Sequence, residues 1–179
     1  FYRVAYSEAG WTCLKQAFSI GAFAGRSADR AGLVDDVFAL ARSGDLAVGA
    51  GGNPGTFALE FSQLLDTTDE TTLEVWGPAL SNLADVEVLL RDQGEACQGH
   101  MRARVRALVA KRYAALGWDA AEGDTQLDVL LRGSILRTAV LNAPDASDPA
   151  VVKAIALAQS WLADPSLVAK PAPEGCWPR

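Results

Sequence analysis

The chain has 179 residues, half of them apolar, and a formal net charge of -6. That length fits one domain that buries roughly 70% of the surface its unfolded form exposes, so neither a disulfide framework nor a structural metal is needed to hold it together. The acidic balance argues against a nucleic-acid partner or an anionic lipid surface, and no apolar run is long enough to cross a membrane.

Residues 1–6, Phe-Tyr-Arg-Val-Ala-Tyr, alternate as a strand does, with no second strand in view to pair with. A piece cut from a larger protein begins in this way, and the expected division is a strand remnant over 1–7 followed by a helical domain over 8–179. Residues 8–23 read as a helix with Trp11, Leu14, Phe18 and Phe23 for bulk, expected to pack on the next one. That next helix, 27–44, organises the rest. Leu33, Val34, Val37, Phe38 and Ala41 recur at three- and four-residue steps and form one apolar stripe. Ser27 is placed to cap the first turn, Asp29 and Arg42 complement the helix dipole, and Gly44 suits a left-handed C-terminal cap. Burying Leu33, Val34, Val37 and Phe38 is worth on the order of 6 to 12 kcal/mol before entropy is subtracted.

Residues 45–55, with Gly49, Gly51, Gly52, Pro54 and Gly55, break the helical pattern. A short helix follows over 56–65 and a turn over 66–69. Residues 70–93 carry a long helical pattern with Trp76, Leu80, Leu83, Val86, Leu89 and Leu90 on one face, and Pro78 points to a short turn before the main helix. After a weak start over 94–100, residues 101–116 are strongly helical, ended by Gly117. Residues 125–142 place Leu127, Leu130, Leu131, Ile135, Leu136, Ala139 and Val140 at helical spacing. Residues 150–163 form the last clear helix, with Val151, Ile155, Ala158 and Trp161 in register, and the Pro-rich stretch after Pro165 reads as irregular. Helices joined by short loops require helix-on-helix packing. The expected fold is all-α, a curved superhelical stack of antiparallel helix pairs like the HEAT and armadillo arrays.

The run Asp29-Arg-Ala-Gly-Leu-Val-Asp-Asp-Val-Phe-Ala-Leu-Ala41 resembles the segment that opens the C-terminal helical domain of the gluzincin-type zinc aminopeptidases, the family of the puromycin-sensitive, alanyl and endoplasmic-reticulum enzymes. Upstream, Phe1-Tyr-Arg-Val-Ala-Tyr6 followed by Trp11 is similar to the family's Tyr-Arg-Val-Asn-Tyr…Trp exit from its β-sandwich, with Ala5 in place of Asn. Downstream, Trp76-Gly-Pro-Ala-Leu-Ser81 resembles the Pro-Trp-x-x-Ala-Leu block, and Leu116-Gly117-Trp118 stands where the family has the same tripeptide. The resemblance implies a noncatalytic bowl over a zinc domain that lies earlier in the parent chain. The bowl closes the cavity into which a peptide inserts and helps decide substrate length, while the parent removes N-terminal amino acids. The partners implied are the chain's own catalytic domain and a peptide substrate.

The chain itself lacks the residues for that chemistry. A zincin site needs two histidines one helical turn apart, a glutamate between them as general base, and a further carboxylate ligand. His100 is the one histidine and is expected on the surface, so no catalytic residue, metal ligand or cofactor is assigned here and zinc is expected in the parent's catalytic domain. The glycines at 49–55 lack the Lys-Ser/Thr of a phosphate loop. Asp35 and Asp36 point about 100° apart on a helix and cannot share a proton, so they read as solvated or ion-paired. Cys13, Cys97 and Cys176 have no metal spacing and read as free thiols, or as one disulfide with a leftover thiol. Among the cations of 102–112, Arg102 and Arg106 stand one turn apart and could hold one carboxylate between them. In a peptide-trimming enzyme that carboxylate would be the substrate's C-terminus. The other functional class open to such a chain is a freestanding helical-repeat scaffold that binds a protein or peptide in its groove.

Overall fold

The computed structural model describes residues 3–164. Within them the regular structure is entirely helical: α1 (Glu8–Ser19), α2 (Ser27–Ser43), α3 (Pro54–Ser62), the single turn α4 (Leu64–Thr67), α5 (Leu73–Leu89), α6 (Glu95–Leu116), α7 (Gln126–Leu141) and α8 (Pro149–Ala163). The all-α expectation is met. No strand forms among the described residues, and 3–7 has no regular secondary structure, as follows for a segment with no ladder to join. Arg3 in that segment reaches α2, where it pairs with Asp35 and Asp36. The expected irregular stretch after Pro165 lies outside the described residues.

Helix α2 is the organiser. It buries Leu33, Val34, Val37, Phe38 and Leu40 and packs against α5 and α3. Its C-terminus ends as the sequence requires, on Gly44 at φ 83°, a left-handed conformation that glycine adopts without a Cβ penalty. Its N-terminus differs from expectation. Gly25 at φ 74° closes the preceding turn, Arg26 becomes the cap residue without a side-chain bond, and Ser27 already lies inside the helix.

Helix α1 ends at Ser19, and residues 20–25 turn rather than extend it. Its aromatic contacts run to α3: Trp11 meets Phe57 and Phe61 edge-on, and Phe18 meets Phe61 at 5.4 Å between ring centroids. Edge-to-face geometry sets the positive rim of one ring against the negative face of the next. Asn53 caps α3 by accepting from the Thr56 amide, with Pro54 in the first turn, where its missing N–H costs nothing.

Helix α5 runs unbroken through Pro78, contrary to the expected turn. Pro78 lies in the helix's second turn and withdraws one amide from the carbonyl of Glu74, an exposed residue whose carbonyl needs no protein donor. Helix α5 carries Val75, Trp76, Ala79 and Leu83 into the core and packs on α2, α6 and α7. Helix α6 begins at Glu95, six residues earlier than its apolar stripe, behind Gly94 at φ 85°. Helix α7 is capped by a reciprocal box in which Thr125 and Asp128 bond each other's backbone amides. The chain of contacts then runs α6 to α7 to α8.

Two arginines fasten the later helices. Arg132 donates Nε to the Leu116 carbonyl and pairs with Asp124, joining α7 to the end of α6. Arg106 donates to the Ala139 carbonyl and to Asp148, the N-cap of α8.

Candidate functional site

The two arginines singled out in the sequence occupy one hollow. Arg102 and Arg106 line a recess between α6 and residues 142–144, together with Gly99, Ala103, Asn142 and Pro144. Their surroundings differ. Arg106 is half-buried and directs its guanidinium into the protein, to the Ala139 carbonyl at 2.8 Å and to the buried Asp148 carboxylate. Asp148 in turn accepts from the Ala150 amide to start α8. Arg102 is exposed and donates to Gln98 Oε1 at 3.1 Å, one turn back on its own helix. One of the pair is thus built into the fold and the other stands at the surface.

A second concavity lies between α5 and α7. A groove of about 540 Å³ has Leu80, Leu130 and Leu141 among its apolar wall residues, with Glu87, Arg137 and Asn142 among its polar ones. It continues into a second recess against α6 that shares Glu87 and Arg137 and adds Arg91, Met101 and Arg102. Glu87 stands apart from Asp35, Glu70, Asp128 and Asp145, whose carboxyls are held below their ordinary values. Burial pushes its carboxyl above the ordinary value of 4.5, against the opposing influence of Asn142 and of the Arg102 charge. No cation comes within ion-pair distance of it among the described residues. Asn142 is 4% exposed; its Nδ2 donates to the Thr138 carbonyl at 3.0 Å, and its Oδ1 has no donor. A carbonyl can only accept, so the Thr138 contact fixes which end of the amide is nitrogen.

Sequence reasoning passed over Glu87, Asn142 and Arg137. A signal existed for Glu87, which follows Leu83 by four residues and Val86 by one, so it borders the apolar stripe of α5 and must be partly covered by whatever packs there.

The other residues weighed from sequence have structural surroundings. Asp35 and Asp36 share Arg3, at 2.7 and 2.5 Å, and Asp35 also accepts from Asn82. Burial alone would raise the Asp35 carboxyl, but the bonds from Asn82 and Arg3 outweigh it and hold it below the ordinary carboxylate value. His100 is exposed on α6, with Nδ1 2.7 Å from the Ala96 carbonyl. The glycine-rich loop folds over α1, where Gly49 faces the carboxylate end of the exposed Glu8 side chain. Cys13 and Cys97 are free, exposed thiols; Cys176 lies outside the described residues. No cluster of three His, Cys, Asp or Glu suited to a metal occurs among the described residues, and no helix there is long and apolar enough to cross a membrane.

Residues 1–173 match the family described as ERAP1-like C-terminal domain. The chain is also similar to Aminopeptidase 2 of Candida albicans (strain SC5314), at 28% identity over 155 residues that make up 84% of this chain and 15% of that protein. The chain therefore spans a small part of the length of the relative it matches.

Proposed function

Because the chain belongs to the family of ERAP1-like C-terminal domains, we propose that it is the noncatalytic C-terminal domain of a zinc-dependent aminopeptidase that removes N-terminal amino acids from peptides. The match over 1–173 carries this reading. The small fraction of the aminopeptidase relative that the chain covers supports it too, since the bond-breaking residues then belong to the rest of the parent. In this reading residues 1–7 leave a preceding β-sandwich, the helices of 8–179 form part of a curved stack, and that stack caps the active-site cavity and helps select peptide length. Its partners are the parent's own zinc-bearing domain and the peptide. The apolar side chains left open on α8, among them Val152, Ile155 and Trp161, suit an element that the parent covers.

The first experiment reads the coding sequence upstream of Phe1. A His-Glu-x-x-His helix followed by a further glutamate ligand is the expected result. A start codon immediately before Phe1 would overturn the reading in favour of a freestanding peptide-binding scaffold.

For length selection, Arg102 is the residue of this chain proposed to meet the substrate's C-terminal carboxylate, with Arg106 beside it holding α6 to α8. A guanidinium matches a carboxylate in two parallel hydrogen bonds. In the full-length parent, Arg102→Ala should raise KM for long peptides by about tenfold while leaving single-residue amide substrates unaffected. An unchanged KM for long peptides would remove Arg102 from the proposal. Arg106→Ala is the structural counterpart, expected to lower stability whatever the substrate.

A further inference from the structure

The arginines of this fold are, as a rule, matched. Arg3, Arg30, Arg42, Arg106, Arg112 and Arg132 each lie within ion-pair distance of an aspartate or glutamate. Arg91, Arg102, Arg104 and Arg137 meet no carboxylate at that distance among the described residues. Three of these four line one recess of about 410 Å³. They reach it from different elements: Arg91 from the turn that follows α5, Arg102 from α6 and Arg137 from α7. Gln98 ties two of them together, since its Nε2 donates to the Arg91 carbonyl and its Oε1 accepts from the Arg102 guanidinium at 3.1 Å. Glu87 is the single carboxylate in the lining, and Asn142 already holds it by a side-chain hydrogen bond. Three guanidiniums against one carboxylate leave the recess with two positive charges in excess. On a chain of net charge -6 an anion has no general attraction to the surface, so a local excess of this kind decides where one binds. Val88 and Leu141, both more than half exposed, supply apolar wall.

We propose that this recess holds the last residue of a peptide that ends in aspartate or glutamate, with Arg91, Arg102 and Arg137 shared between its two carboxylates. The inference rests on the peptidase reading above for its choice of a peptide terminus. It adds a preference which that reading does not contain, namely an acidic side chain on the last residue. Two carboxylates match the excess of two positive charges, and the fork of a guanidinium meets each in paired hydrogen bonds. The recess opens into the α5–α7 groove, with which it shares Glu87 and Arg137, and the residues before the last lie along that groove's apolar wall. Glu87 opposes the ligand's charge, so its carboxylate limits the affinity and its neutralisation strengthens binding.

The test titrates the 179-residue chain with short peptides, labelled at the N-terminus for fluorescence anisotropy, that differ only at the other end. One ends in a free glutamate, one in a free glutamine, and one in a glutamate whose α-carboxyl is amidated. The free glutamate peptide should bind, and each of the others at least about tenfold more weakly, as loss of a charge-assisted pair implies. Arg91→Ala combined with Arg137→Ala should lower binding of the glutamate peptide to that of the glutamine one, and Glu87→Gln should tighten it. Arg26→Ala removes an exposed charge at the start of α2 and should leave binding unchanged. Circular dichroism of the variants establishes that they remain folded. No binding at millimolar peptide, equal binding of the glutamate peptide and either of the other two, or a preference for glutamate that survives the double variant overturns the proposal. A loss at Arg26→Ala as large as that of the double variant overturns it too, since that is general attraction in place of a site. None of these outcomes touches the aminopeptidase reading, which the coding sequence upstream of Phe1 decides.

Discussion

Helices α2 and α8 are both amphipathic in sequence, yet the fold uses them in opposite ways. Helix α2 buries five apolar side chains and is covered by α5 and α3. Helix α8 has a single charge, Lys153, in fifteen residues and buries only Ala150, while Ile155 is 48% exposed, Trp161 49% and Leu162 83%. Helix α7 shows both behaviours at once. It buries Leu131, Ile135 and Ala139 toward α5 and α6, and leaves Leu127, Val129 and Leu130 about half exposed. Periodicity marks which face of a helix is apolar, but whether that face finds a partner depends on what else the chain brings to it. The α1–α5 region is a finished core, and the α7–α8 end is a face left open among the described residues.

The sharpest way to break that comparison is to truncate one aromatic ring in each region. Phe61 is fully buried and touches Trp11, Phe18 and Phe57. Phe61→Ala removes the hub of that cluster and should cost about 3–5 kcal/mol in urea unfolding, since the rings around it cannot close over the cavity. Trp161→Ala in the same chain should cost about 1 kcal/mol or less, because half of that ring is already in water. Equal losses at the two positions would mean that α8 is packed as tightly as the core.

The next effect concerns charge within the finished region. Glu70 is buried, accepts from Arg30 at 2.6 Å and from the backbone and hydroxyl of Thr72, and its own carbonyl caps the Trp76 indole at 2.9 Å. Burial would push its carboxyl up, but the bonds from Arg30 and Thr72 outweigh this and hold it below the ordinary value of 4.5. A carboxyl whose folded pKa is depressed contributes stability that is fully present above the unfolded value. That contribution is lost as pH falls through the folded value. Glu70→Gln should therefore cost about 3 kcal/mol near neutral pH, leaving Arg30 buried without its counter-charge. The difference from the unmodified chain should shrink as the solution is acidified below pH 4.5. A gap that stayed constant down to acid pH would show that the Glu70 charge carries no stability.

Much of this architecture was readable in the sequence, and the exceptions have physical causes. The apolar stripe of α2 and its Gly44 terminus followed from local chemistry, because spacing and a left-handed glycine act within a few residues. The first turns of α6 were missed because residues 95–100 are nearly all exposed, so no apolar stripe marks them. Pro78 suggested a break, but so near a helix start it removes a single bond, which the burial of Val75, Trp76 and Ala79 outweighs. The pairing of Arg102 with Arg106 was legible as spacing on one helix. That Arg106 turns toward Asp148 was not, because Asp148 lies 42 residues further on. Glu87 lies between these cases: its place beside Leu83 and Val86 marks it as partly covered, but what covers it arrives with α6 and α7, far along the chain.

The smallest effect separates two helix starts that look alike in sequence. Thr125 is a true cap: its hydroxyl accepts from the Asp128 amide at 3.2 Å, and Asp128 returns the contact to the Thr125 amide at 2.9 Å. The Thr125 bonds hold the Asp128 carboxyl below its ordinary value. Ser27 has the residue type for the role but enters one position too late, because Gly25 turns the chain and leaves Arg26 at the boundary. Removing a side chain that satisfies an orphan amide costs about 1 kcal/mol, and removing one that satisfies none costs a few tenths at most. Thr125→Ala should thus lower stability by about 1 kcal/mol and hasten amide exchange in the first turn of α7, while Ser27→Ala should leave both stability and exchange in α2 nearly unchanged. A loss at Ser27 as large as that at Thr125 would place the cap of α2 at Ser27 in solution. The organising helix would then begin where its sequence says it should.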